Sequence, residues 1–184
     1  MSKLLSKFLQ IIIFPAALLV VSKAIGLYIA TMYFNLNFFL ETQPEEIYSL
    51  QIYFTDTNET LIANSVSNLV MFCAIASVTT YFLIKYRLSL LATYNPKTLV
   101  KLNNWNMLSW VNKKGTTFLK VFVWIMFLWI TSILIIVDVI SQNTVSWIAL
   151  FAFIVTIMST WILIRTFEIE GEIIYPHNET SNLY

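Results

Sequence analysis

Long apolar runs separated by short polar stretches organise the chain. A transmembrane helix needs about 20 mostly apolar residues to cross roughly 30 Å of hydrocarbon. Four segments meet that need: 8–34, 61–84, 118–140 and 147–164. Each is expected to be helical, because lipid offers backbone N–H and C=O groups no partner outside the segment. The fold class read from this pattern is an all-α integral membrane protein with a four-helix transmembrane bundle. A short outer surface helix and a basic cytoplasmic helix, the latter between spans two and three, are expected to complete it.

The first run raises the question of a cleaved signal. Lys3 and Lys7 precede it, and Ser22-Lys23-Ala24 puts small residues at plausible cleavage positions. The run then continues through Ile25, Leu27, Ile29 and Tyr33. That exceeds the apolar core of a signal, about 7–15 residues. Segment 8–34 is therefore expected to be a retained span.

Direction follows from the cations, which favour the cytoplasmic side. Residues 1–7 carry Lys3 and Lys7. Lys85, Arg87, Lys97, Lys101, Lys113, Lys114 and Lys120 lie between spans two and three or at their inner ends. Arg165 follows span four. Segments 35–60 and 141–146 carry no Lys or Arg, and the first holds Glu41, Glu45, Glu46, Asp56 and Glu59. Both termini (1–7 and 165–184) and the 85–117 segment are thus expected inside. Lys23 alone breaks the pattern. A bacterial inner membrane is the expected location.

The connecting segments carry local signals. Pro44-Glu45-Glu46 reads as a first helical turn, since proline suits the first position and acids suit the positive helix end. Ile47, Leu50 and Phe54 then share one helical face, so 44–54 is expected to be a helix on the outer surface. A strand over 48–54 is the competing reading, because the same residues are β-friendly. Asp56, Thr57 and Asn58 are good caps for span two. Asn95, Pro96 and Gly115 mark the start and end of a basic cytoplasmic helix. Lys97, Lys101, Trp105, Trp110, Lys113 and Lys114 give that segment cations and aromatic rings suited to anionic lipid or a soluble protein. The six-residue link 141–146 requires spans three and four to form an antiparallel hairpin. The tail over 167–175 alternates apolar and acidic residues and is expected to extend span four by a turn or to form a strand. Residues past Pro176 are expected to be disordered.

Composition sharpens this picture. Of the 184 residues, 58% are hydrophobic and 11% charged, against roughly 25% charged in soluble domains. A water-facing surface cannot be built from so few charges. The formal net charge of +1 gives no reason to expect a nucleic-acid partner. The single Cys73, within span two, cannot form an internal disulfide. The single His177 cannot supply a multi-histidine metal or haem centre. Walker, dinucleotide-glycine and serine-elbow patterns are missing from the sequence, so neither catalysis nor a cofactor is expected.

The candidate chemistry is intramembrane. Lys23 sits roughly 22 Å of helical rise from the start of span one, and Asp138 roughly 30 Å from the start of span three. Both fall in the outer half, so the two are expected to pair and fix span one against span three. On span two, Asn64, Ser67, Asn68 and Met71 share one face. One polar cluster of Lys23, Asn64, Ser67, Asn68 and Asp138 is expected. Its reading is helix–helix adhesion within the subunit or between copies, with a water-lined path as the alternative.

The function expected is that of a non-catalytic membrane subunit. It would contact membrane lipid, form a homo-oligomer, and anchor or dock a soluble cytoplasmic protein partner. An oligomeric channel or permeabilising protein lined by the span-two stripe is the second reading. In layout, four spans with a basic cytoplasmic segment, the chain resembles small membrane components of bacterial defence systems such as Kiwa. That resemblance implies a cytosolic partner.

Overall fold

The computed structural model describes residues 2–36, 38–42, 50–54, 56–94 and 114–174, together with Val100 and Asn104. Four long helices form the bundle: α1 (Ser2–Phe34), α2 (Thr57–Tyr94), α3 (Lys114–Ile140) and α4 (Ser146–Ile174). All four are long and apolar enough to cross a membrane. The chain is a multi-pass integral membrane protein built as a four-helix bundle. Helix α2 packs against each of the other three, α3 and α4 pack on each other, and α1 lies mainly along α2. The first span is accordingly the most lipid-facing. Only 17% of its apolar window is buried, against 39% for the second and third spans.

Helix α1 meets α2 through small residues. Ser22, Gly26 and Ala30, four apart on α1, are buried against a face of α2 that includes Ala63 and Ser67. A Cβ at Gly26 would stand 2.6 Å from Ser67 Cα. Close backbone approach of this kind drives association in lipid, where burying apolar surface gains little. Around α2 the core forms two layers. One joins Met71, Phe72 and Ile75 to Trp124, Leu128, Ile135, Ile148 and Ala152. The other joins Leu83, Tyr86 and Leu90 to Val121, Ile125 and Leu163. An aromatic knot closes the second layer: the Phe118 ring lies 4.9 Å from Phe167 and 6.1 Å from Tyr86.

Interior hydroxyls are satisfied locally. Ser22, Thr79, Thr131, Thr156, Thr160 and Thr166 each donate to a carbonyl one turn back on their own helix. Ser132 Oγ and Thr156 Oγ1 (3.0 Å) and Trp129 Nε1 donating to Thr160 Oγ1 (3.0 Å) stitch α3 to α4. Such interhelical bonds average about 0.6 kcal/mol in membranes.

The helix ends follow local rules. Helix α1 stops at Asn35, which takes φ 50°, and the Leu36 N–H returns to the Thr31 carbonyl. Helix α3 stops the same way at Gln142, φ 60°, with the Asn143 N–H on the Asp138 carbonyl at 2.9 Å. Both are left-handed caps that satisfy carbonyls of the last turn. At the start of α2, Asp56 accepts from Asn58 Nδ2 and its carbonyl accepts the Thr60 N–H.

Two expectations for the connections change. Residues 50–54 are a strand, not the end of a surface helix; β1 (Phe38–Thr42) pairs antiparallel with β2 (Leu50–Phe54), Phe38 opposite Phe54 and Leu40 opposite Ile52. The apolar run before the turn provides a ladder partner, and backbone pairing then outweighs a one-turn helical face. Gly115 does not end a helix but lies in the first turn of α3. Backbone N–H groups there lack intrahelical partners whatever the residue, so a glycine costs little. Of the two readings of the acidic tail the helical one holds, and α4 continues further than a single turn, through Ile174. Arg165 supports this extension with an i,i+3 pair to Glu168 at 3.2 Å. Of the 95–113 segment, Val100 and Asn104 are described, both helical and exposed. The rest of that segment, residues 43–49, and the expected disorder after Pro176 lie outside the described residues.

Candidate functional site: an intramembrane polar layer

Four elements bring polar groups to one level. Helix α2 supplies Ser65, Ser67 and Asn68; α1 supplies Lys23; the last turn of α3 supplies Asp138; and the α3–α4 turn supplies Thr144. Asn68 is fully buried, and its Nδ2 donates to Asp138 Oδ2 at 2.7 Å and to Thr144 Oγ1 at 2.8 Å. Lys23 Nζ stands 3.7 Å from the same Asp138 oxygen. The Ser67 hydroxyl donates to the Lys23 backbone carbonyl at 2.7 Å, tying α2 to α1 beside Gly26. Ser65 Oγ accepts the Val145 N–H at 3.0 Å, which seats the α3–α4 turn against α2.

The structure thus brings Lys23, Ser67, Asn68 and Asp138 together. Asn64 does not join them: it lies one turn before Asn68 on α2 and makes no side-chain hydrogen bond among the described residues. The hydrogen bonds of the α3–α4 turn with α2 fall instead on Ser65 and Asn68. Thr144 and Ser65 were not legible as site members. A threonine in a polar turn and a serine two turns into a helix carry no mark of tertiary use. The signal that could have found them is the shortness of the 141–146 link, which forces its side chains down onto a neighbouring helix.

The depth of the layer follows from helical rise of about 1.5 Å per residue. Asn68 is about 26 Å from Lys85, Asp138 about 27 Å from Lys120, and Lys23 about 24 Å from Lys7. Arg165 lies about 28 Å along α4 from its first residue, Ser146. These distances nearly equal the roughly 30 Å hydrocarbon thickness. The layer therefore lies toward the ends of α3 and α4 remote from those cations, while on α1 Lys23 falls near the middle of the apolar stretch Ile11–Phe34. The Lys23 and Asp138 side chains are 39% and 30% accessible.

The chemistry on show here is cohesion between helices. Among the described residues, no three His, Cys, Asp or Glu side chains gather as a metal site. A groove of about 310 Å³ opens elsewhere, between α2 and α4, lined by Cys73, Ala76, Ser77 and Thr80 on one side and Phe151 and Val155 on the other. Cys73, Ser77 and Thr80 are exposed, so the groove faces lipid. The docking candidates Lys97, Lys101, Trp105, Trp110 and Lys113 lie outside the described residues, and Lys114 opens α3. The chain matches no protein family, no curated protein and no solved structure.

Proposed function

We propose that this chain is a non-catalytic membrane subunit that oligomerises and holds a soluble cytoplasmic partner against the membrane. Both termini and the basic 85–117 segment face the cytoplasm in this reading, as the distribution of Lys and Arg favours. The observation that carries it is the way the bundle closes on itself. Ser67 and Asn68, the polar residues best placed to line a path, are fully buried and bonded to Lys23, Asp138 and Thr144. At the other end α2, α3 and α4 continue past their cations as a helical stub secured by Tyr86, Phe118 and Phe167. A helical stub joined in sequence to a basic segment suits docking better than transport. A two-component defence assembly, which the layout resembles, is one setting for such a subunit.

The test is affinity purification of the full-length protein from membranes, beside a variant in which Lys97, Lys101, Lys113 and Lys114 are all changed to Glu. The proposal requires one soluble protein held at fixed stoichiometry by the parent and lost from the variant, with membrane insertion intact. Solute efflux from liposomes reconstituted with the parent chain alone, with no partner protein required, supports the channel reading instead.

A further inference from the structure

The groove between α2 and α4 has a cationic end. The Phe72 ring lies 5.9 Å from Phe151, Leu83 and Leu163 share a core layer, and the Tyr86 ring lies 6.4 Å from Phe167. The two helices therefore run parallel in a nearly constant register. Small side chains at Cys73, Ala76, Ser77 and Thr80 leave a space of about 310 Å³ beside Phe151 and Val155, at the low end of the roughly 300–1,000 Å³ of ligand pockets. On α2 the exposed edge of the groove continues from Thr80 through Ile84 to Arg87, in steps of four and three that hold one helix face. On α4 the same steps lead from Val155 through Met158 and Ile162 to Arg165. The shared register puts Arg87 and Arg165 within about 3 Å of one height, and both are exposed. Among the described residues Arg87 has no hydrogen bond or ion pair. Arg165 pairs with exposed Glu168 at 3.2 Å, and its guanidinium lies 5.5 Å from the centre of the Trp161 ring.

We propose that this groove holds one anionic phospholipid, with an acyl chain between α2 and α4 and its phosphodiester at Arg87, supported by Arg165. Depth supports this occupant. Ala76 is about 16 Å of helical rise from Arg87, and Val155 about 15 Å from Arg165. Half the hydrocarbon thickness is about 15 Å. A lipid whose phosphate meets the arginines therefore ends its chain in the groove. The planar guanidinium offers a phosphate two parallel N–H donors. A zwitterionic headgroup would bring its own cation to the same place, so the charge balance selects a lipid with net negative charge. Glu168 offsets Arg165 in part, which leaves Arg87 as the principal contact. A second copy of the chain fits this face less well. Copies related by a two-fold axis along the membrane normal and meeting here would bring like arginines together at the rim of the hydrocarbon, where repulsion is weakly screened. The bound chain fills the space that small side chains leave between α2 and α4.

The experiment titrates the full chain, delipidated in mild detergent, with phosphatidylglycerol and separately with phosphatidylcholine of identical acyl chains. Native mass spectrometry counts bound lipid and subunits. One phosphatidylglycerol per chain is expected, bound about tenfold more tightly than phosphatidylcholine. Arg87→Gln is expected to weaken it about tenfold. Lys85→Gln removes a cation at nearly the same height but roughly 160° around α2, on the side of Tyr81, and is expected to change nothing. Ser77→Phe fills the groove from an exposed position and is expected to abolish binding while helix content, read by circular dichroism, is kept. Glycerol phosphate, which has no chains, is expected not to compete. The proposal is overturned if phosphatidylcholine binds equally well, if glycerol phosphate displaces the lipid, or if Lys85→Gln weakens binding as Arg87→Gln does. It is also overturned if Ser77→Phe lowers the subunit count and leaves lipid binding intact, which makes the face a seat for a second copy.

Discussion

Replacing Gly26 with alanine tests the α1–α2 contact through the sign of a single number. On a lipid-facing helical surface, Gly→Ala is stabilising by about 0.8–1 kcal/mol, from helix propensity alone. At Gly26 the new methyl would stand 2.6 Å from Ser67 Cα, 3.0 Å from Ser67 O and 3.1 Å from Val70 Cβ, where ordinary contact begins at 3.4 Å. Backbone atoms of a packed helix do not step aside singly, so the two helices must part locally by at least about 0.8 Å. That stretches the 2.7 Å bond from Ser67 Oγ to the Lys23 carbonyl to the edge of hydrogen-bond range, forfeiting about 0.6–1.7 kcal/mol. Overpacking adds about 1–3 kcal/mol. After the propensity gain is subtracted, the expected net loss is about 0.6–4 kcal/mol. Equilibrium unfolding in mixed micelles, followed by tryptophan fluorescence, measures it. Ala24→Gly, at an exposed position of the same helix, calibrates propensity in the same micelle. An alanine at position 26 that stabilises the protein refutes the close approach of α1 to α2.

Four further outcomes follow from the same geometry. A double-mutant cycle between Lys23→Gln and Asp138→Asn is expected to give a coupling below about 1 kcal/mol, because the pair is partly exposed and 3.7 Å apart; a coupling above about 2 kcal/mol places the pair in a far drier site. Trp129→Phe removes the bond to Thr160 Oγ1 and is expected to lower unfolding free energy by about 0.5–1.5 kcal/mol, read by the same denaturation. Phe118→Ala empties the centre of the aromatic knot and is expected to cost about 3 kcal/mol; hydrogen exchange should rise first at the ends of α2 and α4 nearest Phe118, and uniform exchange along the helices argues against a local knot. In sealed cells a cysteine placed at Gln142, in a background with Cys73→Ala, is expected to react with an impermeant maleimide from outside, whereas one placed at Asn104 reacts only after permeabilisation. The reverse pattern inverts the proposed orientation.

The four helices were legible because an apolar run long enough to span lipid has few other uses. Their lengths were less so. Hydropathy marks where α2 and α4 meet lipid, not where their hydrogen-bond ladders stop, and both continue beyond the cations through sequence of mixed polarity. The β1–β2 hairpin was missed because Leu50, Ile52 and Phe54 serve a strand as readily as a helix; the decision lies with Phe38–Thr42, a partner that only pairing reveals. Within the polar layer, Lys23 and Asp138 stood out because a charge in an apolar run is costly wherever it points. Asn64 and Asn68 looked equivalent by spacing. Only the height at which the α3–α4 turn docks on α2 distinguishes them.

That docking height has a consequence for the surrounding bilayer. The α3–α4 hairpin ends beside Ser65 and Asn68, while α1 and α2 continue for roughly 12–16 Å beyond it. The end of the bundle is therefore a terrace with two storeys rather than a flat crown. Lipids along the lower storey meet a polar ledge of Ser141, Gln142 and Asn143, and those along the upper storey meet exposed Tyr28, Ile29 and Met32. No planar leaflet fits both heights. The acyl chains must shorten beside the ledge or the taller pair must lean, and either adjustment costs fractions of a kcal/mol per Å, summed over every lipid in the annulus. A bilayer that thins beside the ledge fits the two heights with the least adjustment.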